Sequence, residues 1–275
     1  MTETIVYSAP RNSMASYGMR RSGETAMRGG QTDCAVEMRF TLKYTGKKEG
    51  TDCYEYCVSD HTQTNHEGLY KWVEDLKGLT EYLEFGVSEG RMQRIFNLRE
   101  IYRKWERRLW YETRKRHRRE ANRDELLEAV EHIICEESRF VETLCYAPPF
   151  SLLFSGLRGL AFEDGTSVGR ESRIADFGGC PYLPIVLDDR LEVKSDGYEV
   201  FSEGKVNGAL FDEKIFANFV RTLMDDSIAI DELNTRHTER YAFDGMGCIS
   251  QAMLLHLSVV PDFMFREERV FIKRF

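Results

Sequence analysis

Residues 91–146 contain neither glycine nor proline, and so long a run without either points to helix more than to any other regular structure. Ile95, Leu98, Tyr102, Trp105 and Leu109 recur at steps of three and four, the spacing of a heptad-like seam. Leu127, Val130, Ile134, Val141 and Leu144 form a second seam, interrupted by Glu137. Asn122, with Glu125 three residues on, has the form of a variant capping box. The pattern therefore predicts two helices meeting near 120–123 rather than one rod, ended by Pro148–Pro149.

Around this arm the chain divides by composition. Residues 1–33 are rich in Ser, Gly, Met and Arg and predict an irregular arm. Val36, Met38, Phe40, Leu42 and Tyr44 alternate with polar residues, and Cys53–Val58 offers a second strand beyond a glycine-flanked turn. Leu69, Trp72, Val73, Leu76, Leu79 and Leu83 then recur at helical spacing. From 150 onward Gly, Pro and Asp punctuate short apolar runs, with helices expected at Asp212–Met224 and Ile249–Leu257. The expected fold class is α+β: an N-terminal β-hairpin/helix lobe over 34–86, a long charged helical arm or hairpin over 87–149, and a C-terminal mixed α/β lobe over 150–275.

The arm also carries the strongest functional signal. Thirteen Lys and Arg stand against four Glu from Arg91 to Arg123, a net of +9, whereas Asp124–Glu142 sets seven acids against Arg139 alone, a net of −6. A basic helix interleaved with Tyr102, Trp105, Trp110 and Tyr111 suits phosphates and stacked bases. The sign reversal, and pairs such as Glu100–Lys104 and Glu112–Arg116, suit a helical hairpin or a partner helix better. Ile95, Leu98, Arg103, Trp105, Arg107, Leu109, Trp110 and Arg114 are thus the candidate residues for binding a partner or a second copy. The net charge of −8 argues against a surface that binds nucleic acid throughout.

Other chemistry is thinly signalled. Cys53, Cys57, His61 and His66 are weak zinc candidates, because on a strand Cys53 and Cys57 would stand roughly 13 Å apart, too far for one tetrahedral ion. No metal and no cofactor is expected. Asp176-Phe177-Gly178 spells the kinase metal-binding triplet without the catalytic loop or lysine that would give it meaning. Glu163–Asp164, Asp188–Asp189 and Asp225–Asp226 have the look of turn or cap chemistry, and His237 and His256 lack partners in sequence, the latter being expected at a core edge. No catalytic residue is assigned. Seven cysteines, an odd number without scaffold spacing, and the want of a secretory signal or apolar span suggest free thiols in a cytoplasmic setting.

In organisation, through the 34–86 unit, the 91–146 charged helices and the 150–275 lobe, the chain resembles phage-encoded anti-defence proteins of the Gabija-inhibitor family. That resemblance implies a non-enzymatic, self-associating protein that binds a host protein complex in the host cytoplasm and inhibits it by wrapping or occlusion. It carries over no binding residue. The alternatives from the residues themselves are a nucleic-acid-binding protein using the 91–123 helix and an unrecognised hydrolase or nuclease.

Overall fold

The computed structural model describes residues 2–27, 30–163, 166–177, 179–223 and 233–275. It opens with strands β1 (Thr2–Thr4), β2 (Met14–Met27), β3 (Gly30–Lys48) and β4 (Thr51–Gln63). Helix α1 (Gly68–Leu76) precedes β5 (Tyr82–Ser88) and β6 (Arg91–Ile95). Five helices follow: α2 (Leu98–Lys104), α3 (Trp110–Arg116), α4 (Arg123–Cys135), α5 (Glu137–Cys145) and α6 (Phe150–Leu153). Then come β7 (Ala161–Glu163), β8 (Val168–Phe177), β9 (Cys180–Lys194), β10 (Gly197–Val206), α7 (Glu213–Leu223), β11 (Asn234–Asp244), β12 (Ile249–Val260) and β13 (Met264–Arg274).

Strands hold 51% of the chain, so the protein is mainly β. Eleven of them form one antiparallel sheet in the order β6-β5-β4-β3-β2-β13-β12-β11-β10-β9-β8, and β1 pairs separately with β7. This overturns the expected α+β class with its long charged helical arm. Residues 14–27 are a strand and not part of an irregular arm, and the C-terminal region is a strand meander with two α-helices, α6 and α7, among its described residues. Residues 249–257, expected as a helix, lie in β12. The arm fails at its start for a local reason. Glu89 and Gly90 both adopt positive φ, 51° and 72°, closing a two-residue hairpin in which Ser88 faces Arg91. That turn commits 91–95 to a strand whatever its helix propensity.

Two compact units make up the chain. One comprises 1–8, 19–35 and 157–273, the other 9–18, 36–156 and 274–275. In the second unit the β3–β4 register sets Phe40 opposite Val58, Leu42 opposite Tyr56 and Tyr44 opposite Tyr54, so the aromatics share one face. Phe150 and Phe154 from the α6 region meet Tyr54, Tyr56 and Phe85 of that face at 4.8–5.9 Å between ring centroids. In the first unit, Ile174, Phe177, Leu183, Ile185 and Leu187 of β8 and β9 bury against Phe216 and Val220 of α7. No helix among the described residues is long and apolar enough to cross a membrane.

Candidate functional site

The basic segment folds as a helix from 98 to 116 with one wide π turn at Trp105–Leu109, where the Trp110 N–H reaches the Trp105 carbonyl. An ideal α-helix drifts from a strict four-residue repeat, and the wide turn corrects that drift. As a result Ile101, Trp105, Leu109, Thr113 and His117 are all buried, each four residues after the last. The complementary series Arg99, Arg103, Arg107, Tyr111 and Lys115 is exposed throughout, with Tyr111 64% exposed.

Of the candidate residues, Ile95, Trp105 and Leu109 are therefore core, Leu98 and Trp110 are half-buried, and Arg103, Arg107 and Arg114 are exposed. Ile95, Trp105 and Leu109 of the seam expected to meet a second copy are buried within their own unit, while Leu98 and Tyr102 of the same seam are half-buried. The predicted pairs Glu100–Lys104 and Glu112–Arg116 give way to other partners. Lys104 donates to the Gly78 carbonyl at 2.7 Å and pairs with Glu81, Arg116 pairs with Asp75, and Glu112 accepts from Arg108 at 3.0 Å. For Lys104 and Arg116, partners fixed by tertiary structure outcompete carboxylates on the same helix, whose pairs are worth only about 0.3–0.5 kcal/mol, whereas Glu112 keeps a partner on its own helix.

The segment turns at 117–122 and returns as α4, so two helices do meet where the sequence placed their junction. Arg114 crosses the junction to Asp124 at 3.4 Å while its guanidinium lies 5.0 Å from the centre of the Trp110 ring. The junction is clasped to α1. His117 stacks on Trp72 with ring centroids 3.9 Å apart, one ring nitrogen 2.9 Å from Asp75 and the other 2.6 Å from Glu120. Trp72 Nε1–H also donates to Glu120 at 2.6 Å. Burial raises the Glu120 pKa, but the hydrogen bonds from Trp72 and His117 outweigh it and hold the carboxyl below its ordinary value. This clasp ties the end of the helix to α1 on the side opposite its exposed face. On that face Arg99, Arg103, Arg107 and Lys115, and in the turn beyond it Arg118 and Arg119, have no carboxylate within 4.0 Å among the described residues.

Sequence reasoning missed a second polar constellation, buried in the first unit. Arg170 on β8 makes a bidentate pair with Asp189 on β9 at 2.7 and 3.1 Å, and its Nη2 also reaches Glu239 on β11 at 2.7 Å. Tyr241 donates to Glu239 at 2.7 Å, and His237 contacts the other oxygen of that carboxylate at 3.1 Å. From His237 the chain continues to His256 on β12, Nδ1 to Nδ1 at 3.4 Å, and on to Ser258 at 2.8 Å. Gly204 on β10 makes room for it, because a Cβ there would lie 2.9 Å from the His237 ring and 2.8 Å from Ile185.

Charge shapes the chemistry of this network. Burial would raise the Glu239 pKa, but the Arg170 charge and the His237 contact hold it far below the ordinary carboxylate range. Burial, reinforced by His237 and Arg266, lowers His256 to about 3, so its imidazole is neutral. Ser258 and His256 resemble part of a nucleophilic triad, yet both are fully buried (0% exposed), which closes the serine to any substrate in this conformation. Asp189, expected in a turn or cap, and His256, expected at a core edge, are instead central to this network.

The remaining candidates do not assemble. Cys53 and Cys57 lie along β4 and contact the carbonyls of Thr51 and Val58, while His66 pairs with Glu74. Among the described residues no three His, Cys, Asp or Glu side chains gather as a metal site. Phe177 of the kinase-like triplet is buried in the apolar cluster under α7. Asp164, Gly178 and Asp225–Asp226 lie outside the described residues, as does the side chain of Asp176.

No family model and no curated protein sequence matches the chain. Among solved structures it is similar to lipovitellin, at 8% identity and a TM-score of 0.48 over 97% of this chain. The chain spans 25% of the lipovitellin chain it matches. It is also similar to DynF from the dynemicin biosynthesis pathway of Micromonospora chersina, at 6% identity and a TM-score of 0.21 over 98% of this chain and 84% of that one. A domain from Vibrio parahaemolyticus, described as an outer membrane lipoprotein-sorting protein, shares 6% identity at a TM-score of 0.16 over 94% of this chain and 85% of that one. No residue role is transferred from these proteins.

Proposed function

We propose that the protein is a non-enzymatic binding protein that docks an acidic face of a protein partner onto the outer side of the 98–116 helix. One observation carries this: Arg99, Arg103, Arg107 and Lys115 stand one helical turn apart around the exposed Tyr111, without carboxylate partners among the described residues. Regularly spaced, uncompensated cations on a clamped helix raise association rates with an acidic surface and reject basic ones. Exposed Glu100, Glu106 and Glu112 beside them favour a protein surface of mixed charge over a continuous phosphate backbone. Occlusion of a host defence complex, as the Gabija-inhibitor resemblance implies, is one form such docking would take.

The test uses two labelled probes, a twenty-residue peptide rich in Asp and Glu and a single-stranded DNA 20-mer. Each is titrated at 50 and 150 mM salt against wild type and the Arg103/Arg107/Lys115→Glu variant. The expected result is peptide binding that weakens at least tenfold in the variant, with unchanged circular dichroism. DNA binding tighter than peptide binding at 150 mM salt, lost with Tyr111→Ala, would make the partner a nucleic acid. Equal peptide binding by wild type and variant would leave the helix a solvated spacer.

A further inference from the structure

In the first unit a cleft of about 420 Å3 opens between β2, the start of β9, α7 and β13, within the roughly 300–1,000 Å3 of small-molecule sites. Five of its eight lining residues have soft or apolar side chains, Met27, Cys180, Pro181, Phe219 and Met264, and the surface they share with the others is of mixed polarity. Cys180 and Met264 are buried and belong to the apolar cluster under α7, so one side of the cleft adjoins that core, while Met27 and Pro181 stand exposed at its surface. Gly179 lets it form, since its φ of +76° suits glycine and a Cβ there would stand 2.9 Å from Phe219. Burial pushes the Cys180 thiol pKa up, which keeps it neutral.

Two polar groups interrupt this lining, the Thr25 hydroxyl and the Arg266 guanidinium. Arg266 is held in place, its Nη2 donating to the Ala175 carbonyl at 3.0 Å and lying 3.7 Å from Glu268. Glu268 also pairs with a second guanidinium, that of Arg21 at 2.8 Å. A guanidinium fixed beside apolar side chains in one cleft suits a ligand with one anionic head and an alkyl body, and fixing the charge beforehand lowers the cost of binding.

We propose that this cleft binds a single-chain aliphatic carboxylate, its head group on Arg266 and Thr25 and its chain along Met27, Pro181, Phe219 and Met264. This site is independent of the helical docking face. Calorimetric titration of the full chain with decanoate, below its micelle concentration and with 1-decanol as the neutral control, tests it. The expected result is saturable one-to-one binding of decanoate, at least tenfold tighter than decanol, with affinity rising about fourfold per methylene from octanoate to decanoate. Arg266→Met should remove the preference for the acid. Because that change also breaks internal contacts, Thr25→Trp is the second variant, which fills the mouth and should abolish binding of both probes with an unchanged melting curve. Absence of binding to wild type, equal affinity for decanoate and decanol, or undiminished binding by Thr25→Trp would each overturn the assignment.

Discussion

Acid should weaken the first unit through one buried imidazole, and the effect can be worked out from the His256 environment. In the folded chain its pKa is lowered to about 3, by burial first and then by His237 and Arg266, against 6.5 in the unfolded chain. Between these values the unfolded chain holds a proton that the folded chain does not. Stability from this group is therefore fully present above pH 6.5 and is lost as pH falls toward 3. At about 1.36 kcal/mol per pKa unit the loss reaches about 3 kcal/mol at pH 4.5 and saturates near about 5 kcal/mol. Glu239 acts in a lower window, because a carboxylate held below its ordinary value of 4.5 loses its contribution only as pH falls through and beneath that value. The interval from pH 6.5 to 4.5 thus separates histidine from carboxylate titration. Burial, with smaller effects of neighbouring charges, also lowers His61, but its contribution cancels in a comparison of wild type with a His256→Gln variant. Urea unfolding followed by far-ultraviolet circular dichroism at pH 7.5, 6.5, 5.5 and 4.5 measures both. Wild type should lose about 3 kcal/mol more than the variant across the series. Parallel pH profiles for the two proteins would refute the account of His256 as a neutral, desolvated imidazole.

Arg170→Met should cost about 3–5 kcal/mol in the same unfolding assay at pH 7.5, since it leaves Asp189 and Glu239 buried without their cation; a loss below about 1 kcal/mol would show that water reaches the network. Gly204→Ala should destabilise by about 1–3 kcal/mol, because the new methyl meets Ile185 and the His237 ring, and its melting temperature should fall accordingly. Trp72→Phe keeps the stacking surface on His117 but removes the hydrogen bond to Glu120; a loss of about 1.5–3 kcal/mol is expected, read from the urea midpoint. Arg103/Arg107/Lys115→Glu should shift stability by about 0.5 kcal/mol or less per site, so a collapsed melting curve would mean these side chains are structural.

The residues around the helical hairpin show how far local pattern reaches. Asn122 stands at the N-terminal boundary of α4 as the sequence placed it, but its side chain makes no cap hydrogen bond, so the seams and the change of charge sign marked the junction while the capping box did not form. Alternation from Val36 to Tyr44 likewise marked β3, whose apolar side faces a core while its other side stays polar. Exposure of Arg103, Arg107 and Arg114 follows from the same helical periodicity.

What local pattern could not supply was pairing. Arg91–Ile95 has good helix formers, yet the left-handed pair Glu89–Gly90 turns the chain back and β5 captures it as a strand. Residues 14–27 lack a clean alternation and become β2 only because hydrogen-bonding partners stand on both sides of it in the sheet. The buried network was hidden for a related reason. In β11 the inward residues Thr235, His237 and Glu239 are as polar as the outward Arg236, Thr238 and Arg240, so no period separates the faces. Register then sets Ser202 opposite both Asp189 and Glu239, and His237 opposite His256. Periodicity is a property of one segment and is written in its sequence. The meeting of Arg170, Asp189 and Glu239 from three strands exists only once the sheet has formed, because the two buried carboxylates are tolerable in the interior only through the guanidinium they share.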